Sequence, residues 1–90
     1  MKIAGIQMDL AWEDRETNYA RAREYARAAA AEGADVIVLP EMFPTAFSLD
    51  ASVTAEPLDG PTSHFFRSLA RETNAAVCGG FALMNKEGKP

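Results

Sequence analysis

Few of the 90 residues could perform acid–base or nucleophilic chemistry without a metal. Cys78 is the one cysteine and His64 the one histidine, while Glu41 stands inside the apolar, proline-marked stretch DVIVLPEMFPTAF at 35–47. In open sheets of parallel strands, functional groups gather beyond the carboxyl ends of the strands. Glu41 lies two residues past the aliphatic run VIVL, which is that position. Pro40 has its own φ fixed and keeps Leu39 extended, so the acid leaves the strand at a defined angle. Phe43 and Phe47 follow within reach as low-dielectric walls, and a carboxylate shut off from water is a better proton acceptor. A solvated glutamate at a strand end fits the same spacing, and spacing alone does not separate the two.

The other candidates read more plainly. Cys78 lies among Ala75, Ala76, Val77, Gly79 and Gly80, with no cation beside it. A thiol buried in such a strand stays protonated and inert, so it is expected in the core. His64 precedes Phe65 and Phe66 near a helix start and is expected to be solvated or bonded locally, without a catalytic role. The pair Gly79–Gly80 predicts a bulge or a close approach of other backbone.

Composition narrows the function further. A net charge of −4 argues against nucleic acid, whose phosphates need a clustered basic face. Arg21, Arg23 and Arg27 are interleaved with Glu24 and flanked by Glu16 and Glu32, the pattern of a solvated helix face. No apolar run nears the roughly 20 residues of a membrane span, and the opening MKIAGIQMDL lacks a continuous signal-peptide core. One cysteine makes neither an intrachain disulfide nor a four-ligand zinc site, and the six glycines form no phosphate-binding loop. A cytoplasmic protein with no metal and no nucleotide is the expectation.

The elements that must position these residues alternate. KIAGIQMDL is apolar on both faces, as in a strand covered on each side. Asp14 or Thr17 can cap a helix running from about Glu16 to Glu32, with Tyr19, Ala22, Ala26 and Ala29 inward and Gly33 ending it. DVIVLP is a second buried strand, followed by a long loop over 40–61. Gly60-Pro61 opens a second helix whose inward stripe is Phe65, Phe66, Leu69 and Ala70. AAVCGGFALM is a third strand and NKEGK at 85–89 a hairpin turn. The order β-α-β-α-β predicts parallel pairing through right-handed crossovers. A hairpin without its returning strand, and a sheet apolar on both faces, suggest that residues 1–90 are the N-terminal portion of a larger domain.

Together these stretches resemble the nitrilase superfamily, the carbon–nitrogen hydrolases. GADVIVLPEMFPTAF is similar to the family's first signature and KIAGIQMD to its opening strand. NYARAREYARAAAAEGAD resembles its first helix, with Asn18 at the usual place, and LDGPTSHFFRSLARETNAAVCGGFA its second helix and third strand. Met42, Phe43 and Phe47 look closest to the omega-amidase-like branch. The resemblance implies an α/β fold, the N-terminal part of a four-layer α-β-β-α sandwich that assembles into homo-oligomers. It implies hydrolysis of nonpeptide carbon–nitrogen bonds in small amides or nitriles, without cofactor, by a Glu-Lys-Cys set. Glu41 matches the glutamate, the general base, and Phe47 a wall of the substrate pocket. Lys86 and Lys89 lie in the turn and Cys78 on the third strand, so none of them matches the family's lysine or cysteine. The 90 residues alone are therefore expected to be inactive. The family often has glycine where this chain has Ala46, a departure that strains the loop if the backbone there takes a positive φ. The rival reading is a non-catalytic segment serving as an interaction or assembly module. A flavodoxin-like ligand-binding domain is disfavoured by the missing phosphate loop.

Overall fold

A computed structural model describes residues 1–46, 48 and 50–81, the side chains of 51 and 53 excepted. Three short strands, β1 (Ile3–Gly5), β2 (Val36–Val38) and β3 (Ala76–Cys78), form a sheet in the order β1-β2-β3. Both pairings are parallel, with Ala4 opposite Ile37 and Ile37 opposite Val77. Between the strands run α1 (Arg15–Ala31), a one-turn α2 (Ala51–Thr54) and α3 (Pro61–Thr73). The alternation expected from the sequence is present, and α2 adds a turn inside what reads as loop. The predicted hairpin at 85–89 lies outside the described residues.

Helix α1 starts and stops where its sequence dictates. Asp14 accepts from the Thr17 amide at 3.1 Å, satisfying an amide that the first turn leaves without a partner. The Thr17 hydroxyl and amide together hold the Asp14 carboxyl below its ordinary range. Gly33, at φ +90°, lets the chain leave the helix in a conformation costly to other residues. Asn74 closes α3 in the same left-handed region, at φ 54°.

Both helices lie on one face of the sheet. Tyr19, Ala22 and Ala26 of α1 meet Phe65 and Leu69 of α3 over Ile37, with Ala4 and Val77 at the margin. Tyr19 stacks on Phe65 with ring centroids 4.5 Å apart. Consecutive strand order with crossovers of one hand puts both helices on the same side. Among the described residues no helix lies over the other face (Ile3, Gly5, Val36, Val38, Ala76 and Cys78), so the two helices supply only part of the cover that a sheet apolar on both faces calls for. Ile3 is 64% exposed and Val38 37%. Cys78 shares that face by the two-residue alternation of a strand and is exposed, which corrects the expectation of a core cysteine.

The arginines of α1 do more than face water. Arg23 and Arg27 both reach Glu72 on α3, Arg23 Nε at 3.1 Å, and Arg23 also lies 5.2 Å from the Phe65 ring centre. Arg21 donates to the Asp9 carbonyl at 2.9 Å. The three cations thus fasten α1 to α3 and to the end of the first strand segment. His64 is exposed, 3.4 Å from Asp59, as a locally bonded histidine would be.

Candidate active site at the end of the second strand

Beyond β2 the chain passes Leu39 and Pro40 into a turn at 41–45 that begins with Glu41. The turn is fastened on several sides. Leu39 donates to the Cys78 carbonyl at 2.8 Å, and the Met42 amide donates to the Gly80 carbonyl at 2.8 Å. Thr45 N–H returns to the Met42 carbonyl at 3.2 Å, and the Thr45 carbonyl accepts from Glu13 N–H at 2.9 Å. From α1, the Asn18 side chain donates to the Pro44 carbonyl at 2.8 Å. The same side chain exchanges two hydrogen bonds of 2.8 Å with the Ala11 backbone.

The glycine pair explains how β3 comes so near. A Cβ on Gly79 would sit 3.1 Å from Leu39 Cβ and 3.3 Å from the Phe66 ring, tighter than most packed Cβ contacts. Gly80 lies alongside Glu41, a Cβ there falling 3.7 Å from Glu41 Cα and Cγ. The close approach predicted from the pair is present, and the element approached is the one that carries the acid.

Three non-glycine residues around the turn occupy the left-handed region: Glu13 (φ 52°), Met42 (φ 52°) and Ala46 (φ 60°). Each conformation costs roughly 1–2 kcal/mol for a residue with a Cβ, and such strain persists only where surrounding bonds enforce it. The strain anticipated at Ala46, should its φ be positive, is therefore real. Ser48 hydrogen-bonds the Glu13 carboxylate and ties the two strained segments together.

Glu41 itself is exposed, and among the described residues its carboxylate has no hydrogen-bond or ion-pair partner. This corrects the expectation of an acid sheltered by phenylalanines. With Met42 left-handed the chain turns back, and Phe43 enters the core fully buried, 5.5 Å from Phe66 and 5.8 Å from Phe65 between ring centres. Phe43 is a foundation under the turn and does not wall the acid. Phe47, the other expected wall, lies outside the described residues. Two open grooves of about 430 and 450 Å³ run beside α1, lined by Asp9, Arg21, Glu24, Tyr25 and their neighbours, and Glu41 lines neither. No group of three or more metal-ligating side chains occurs among the described residues.

Two residues of this region escape a reading for catalytic groups. Asn18 is one, and its signal is a lone amide in register with Ala22 and Ala26 on the inward stripe. Glu56 is the other, only 3% exposed. It accepts from Arg15 Nε at 3.0 Å, from the Thr62 amide at 2.8 Å and from the Thr62 hydroxyl at 2.5 Å. Since Thr62 gives its proton to Glu56, the Tyr19 hydroxyl, 2.7 Å away, donates to Thr62. Burial pushes the Tyr19 phenol above its ordinary range, with the Thr62 bond opposing. A carboxylate at the start of α3 also meets the positive end of the helix dipole.

Comparison with known proteins agrees with this geometry. Residues 2–90 match the carbon–nitrogen hydrolase family. The omega-amidase YafV of Escherichia coli is 33% identical over 89 residues, covering 98% of this chain and 33% of the relative. A nitrilase of Pyrococcus abyssi is 28% identical over 87 residues, 91% of this chain and 33% of the relative. A crystal structure from Xanthomonas campestris, a CN-hydrolase superfamily protein with an arsenic adduct in its active site, superposes with a TM-score of 0.75 at 32% identity. It covers 94% of this chain and 32% of its own, so this chain spans about a third of the length of the relatives it matches. A match that runs from residue 2 to residue 90 around the Leu-Pro-Glu turn makes the chain a member of the carbon–nitrogen hydrolase family.

Proposed function

We propose that this chain is the N-terminal portion of a cysteine-dependent hydrolase of small amides, of the omega-amidase type, in which Glu41 is the general base. The observation that carries the reading is the position of Glu41: a carboxylate without a partner among the described residues, at the carboxyl end of the central parallel strand, on a turn whose backbone is strained and bonded on several sides. The 33% identity to YafV supports the amide class, and the 28% identity to a nitrilase makes nitriles the alternative substrate class. Since the described segment leaves the acid open to water, the role rests on fixed position and not on desolvation.

The chemistry requires three groups. A thiol is largely protonated at neutral pH, so a base must take its proton as the sulfur attacks the amide carbon. The tetrahedral oxyanion needs a cation or N–H donors, the part of a lysine. As the carbon–nitrogen bond breaks, the departing amine takes the proton from the Glu41 carboxyl and a thioester remains. Glu41 then removes a proton from water, hydroxide adds to the thioester, and the carboxylate product leaves as the thiol is reprotonated. Neither Cys78 nor Lys86 nor Lys89 fills the other two roles, so residues 1–90 alone do not turn over substrate.

The test is release of ammonia from short ω-amides. The enzyme carrying this segment together with the family's lysine and cysteine should lose about 10²–10⁴-fold in rate on Glu41→Gln, the usual contribution of a positioned base. The exposure of Glu41 favours the rival reading, an assembly module, and unaltered activity in Glu41→Gln would decide for it.

A further inference from the structure

We propose that Asn18 is a positioning residue for Glu41, holding the turn that carries the acid through a single buried amide. The inference rests on the reading of Glu41 as general base. Asn18 has no accessible surface. A buried amide is costly unless bonded, and an apolar residue would fill the same stripe beside Tyr19 and Ala22 without that cost. Its three side-chain hydrogen bonds all leave the helix: two to Ala11 in the loop after β1, one to the Pro44 carbonyl in the Glu41 turn. The capping of α1 belongs to Asp14 and Thr17, so Asn18 is not needed for it. The amide therefore serves the two loops and not the helix.

Those loops are where the strain is. Glu13 lies two residues past Ala11, while Met42 and Ala46 each lie two residues from Pro44, and all three are left-handed. Such conformations relax when their restraints are removed. Releasing Pro44 from Asn18 would let Met42 return to an ordinary φ, and Met42 directly follows Glu41. The acid would then leave the strand in a different direction while the sheet and helices kept their packing.

The test uses the full chain, with Asn18→Ala and the harsher Asn18→Asp, which keeps the acceptor for the Ala11 amide, loses both donated bonds and sets a buried carboxyl against the Ala11 and Pro44 carbonyls. Hydrogen exchange is read at the turn amides of Met42, Thr45 and Glu13, against those of Ala76 in the sheet and His64 in α3. In Asn18→Ala the turn amides should exchange about tenfold faster than in the parent, the factor expected for the one of the three lost bonds that reaches the Glu41 turn, while the controls stay within about twofold. In Asn18→Asp the same amides should loosen at least as much, since the Pro44 bond is lost there too. In the amidase assay kcat should fall by about 10- to 100-fold with KM nearly unchanged, because the misplaced group acts in the transition state. A uniform rise at turn and control amides, unfolding of both variants, or an unchanged kcat in spite of a loosened turn would overturn the proposal. If Glu41→Gln leaves hydrolysis intact while the turn still loosens on Asn18→Ala, the base reading fails and the structural hold of Asn18 stands.

Discussion

Replacing Glu56 by alanine removes the acceptor of three hydrogen bonds at once, from Arg15 and twice from Thr62. Hydrogen bonds to a charged group contribute roughly 1.5–3 kcal/mol each, but their sum overstates the loss. Arg15 is 23% exposed at its side chain and has a further partner, so it is partly resolvated when the carboxylate goes. Cutting one side of a buried ion pair costs about 3–5 kcal/mol, and the lower end, about 3 kcal/mol, applies here. A chain of this length has about 5–13 kcal/mol of total stability, so the loss is a large fraction of it. In a domain of this size each kcal/mol moves Tm by about 4–8 °C, which predicts a fall of roughly 12–24 °C. The assay is thermal unfolding followed by circular dichroism at neutral pH, with exposed Glu24→Ala as a control that should stay within about 0.5 kcal/mol. A fall of less than about 4 °C in Glu56→Ala would refute the reasoning, because the buried network would then contribute little more than a surface pair.

Three further outcomes are expected. Ala46→Gly relieves roughly 1–2 kcal/mol of left-handed strain and costs about 0.5–1 kcal/mol in unfolded-chain entropy, so the melting midpoint should rise slightly. Gly79→Ala places a methyl 3.1 Å from Leu39 and should destabilise by about 1–3 kcal/mol, measured in a urea titration. The Glu72 carboxyl is held below its ordinary value of 4.5, chiefly by its bond from Arg27 with Arg23 adding. A depressed folded-state value means that the contribution is complete above 4.5 and is lost as pH falls through the folded value. The Tm gap between the parent and Glu72→Gln should accordingly shrink on acidification, and a gap that grows would reverse the assignment.

Much of the frame is legible in the residues because local chemistry decides it. Asp14 and Gly33 bound α1 by capping and by positive φ, and the apolar run before Pro40 marks β2, whatever the rest of the chain does. Gly79 is legible for a similar reason, since a missing Cβ inside a strand has few uses. What the residues do not reveal depends on direction in three dimensions. Phe43 and Glu41 are two positions apart, yet one is buried and the other open, because the left-handed Met42 between them turns the chain. Nothing in the letters Glu-Met-Phe requires a positive φ at methionine. Cys78 and Val77 likewise divide between the two sheet faces, and only the placement of both helices on one side decides which is covered. Glu56 was hidden among surface-type residues, since its partner Arg15 lies 41 positions away in the chain, and the bond from Asn18 to Pro44 spans 26 positions that the letters do not connect.

The central claim is that Glu41, fixed on its turn, accepts the proton that frees the nucleophile. The most direct measurement is the pH dependence of kcat/KM for amide hydrolysis in the parent enzyme and in Glu41→Gln. An ionising base produces an acid limb in the parent, and its replacement should abolish that limb while lowering the plateau by about 10²–10⁴-fold. An acid limb of the same shape and position in Glu41→Gln would contradict the account.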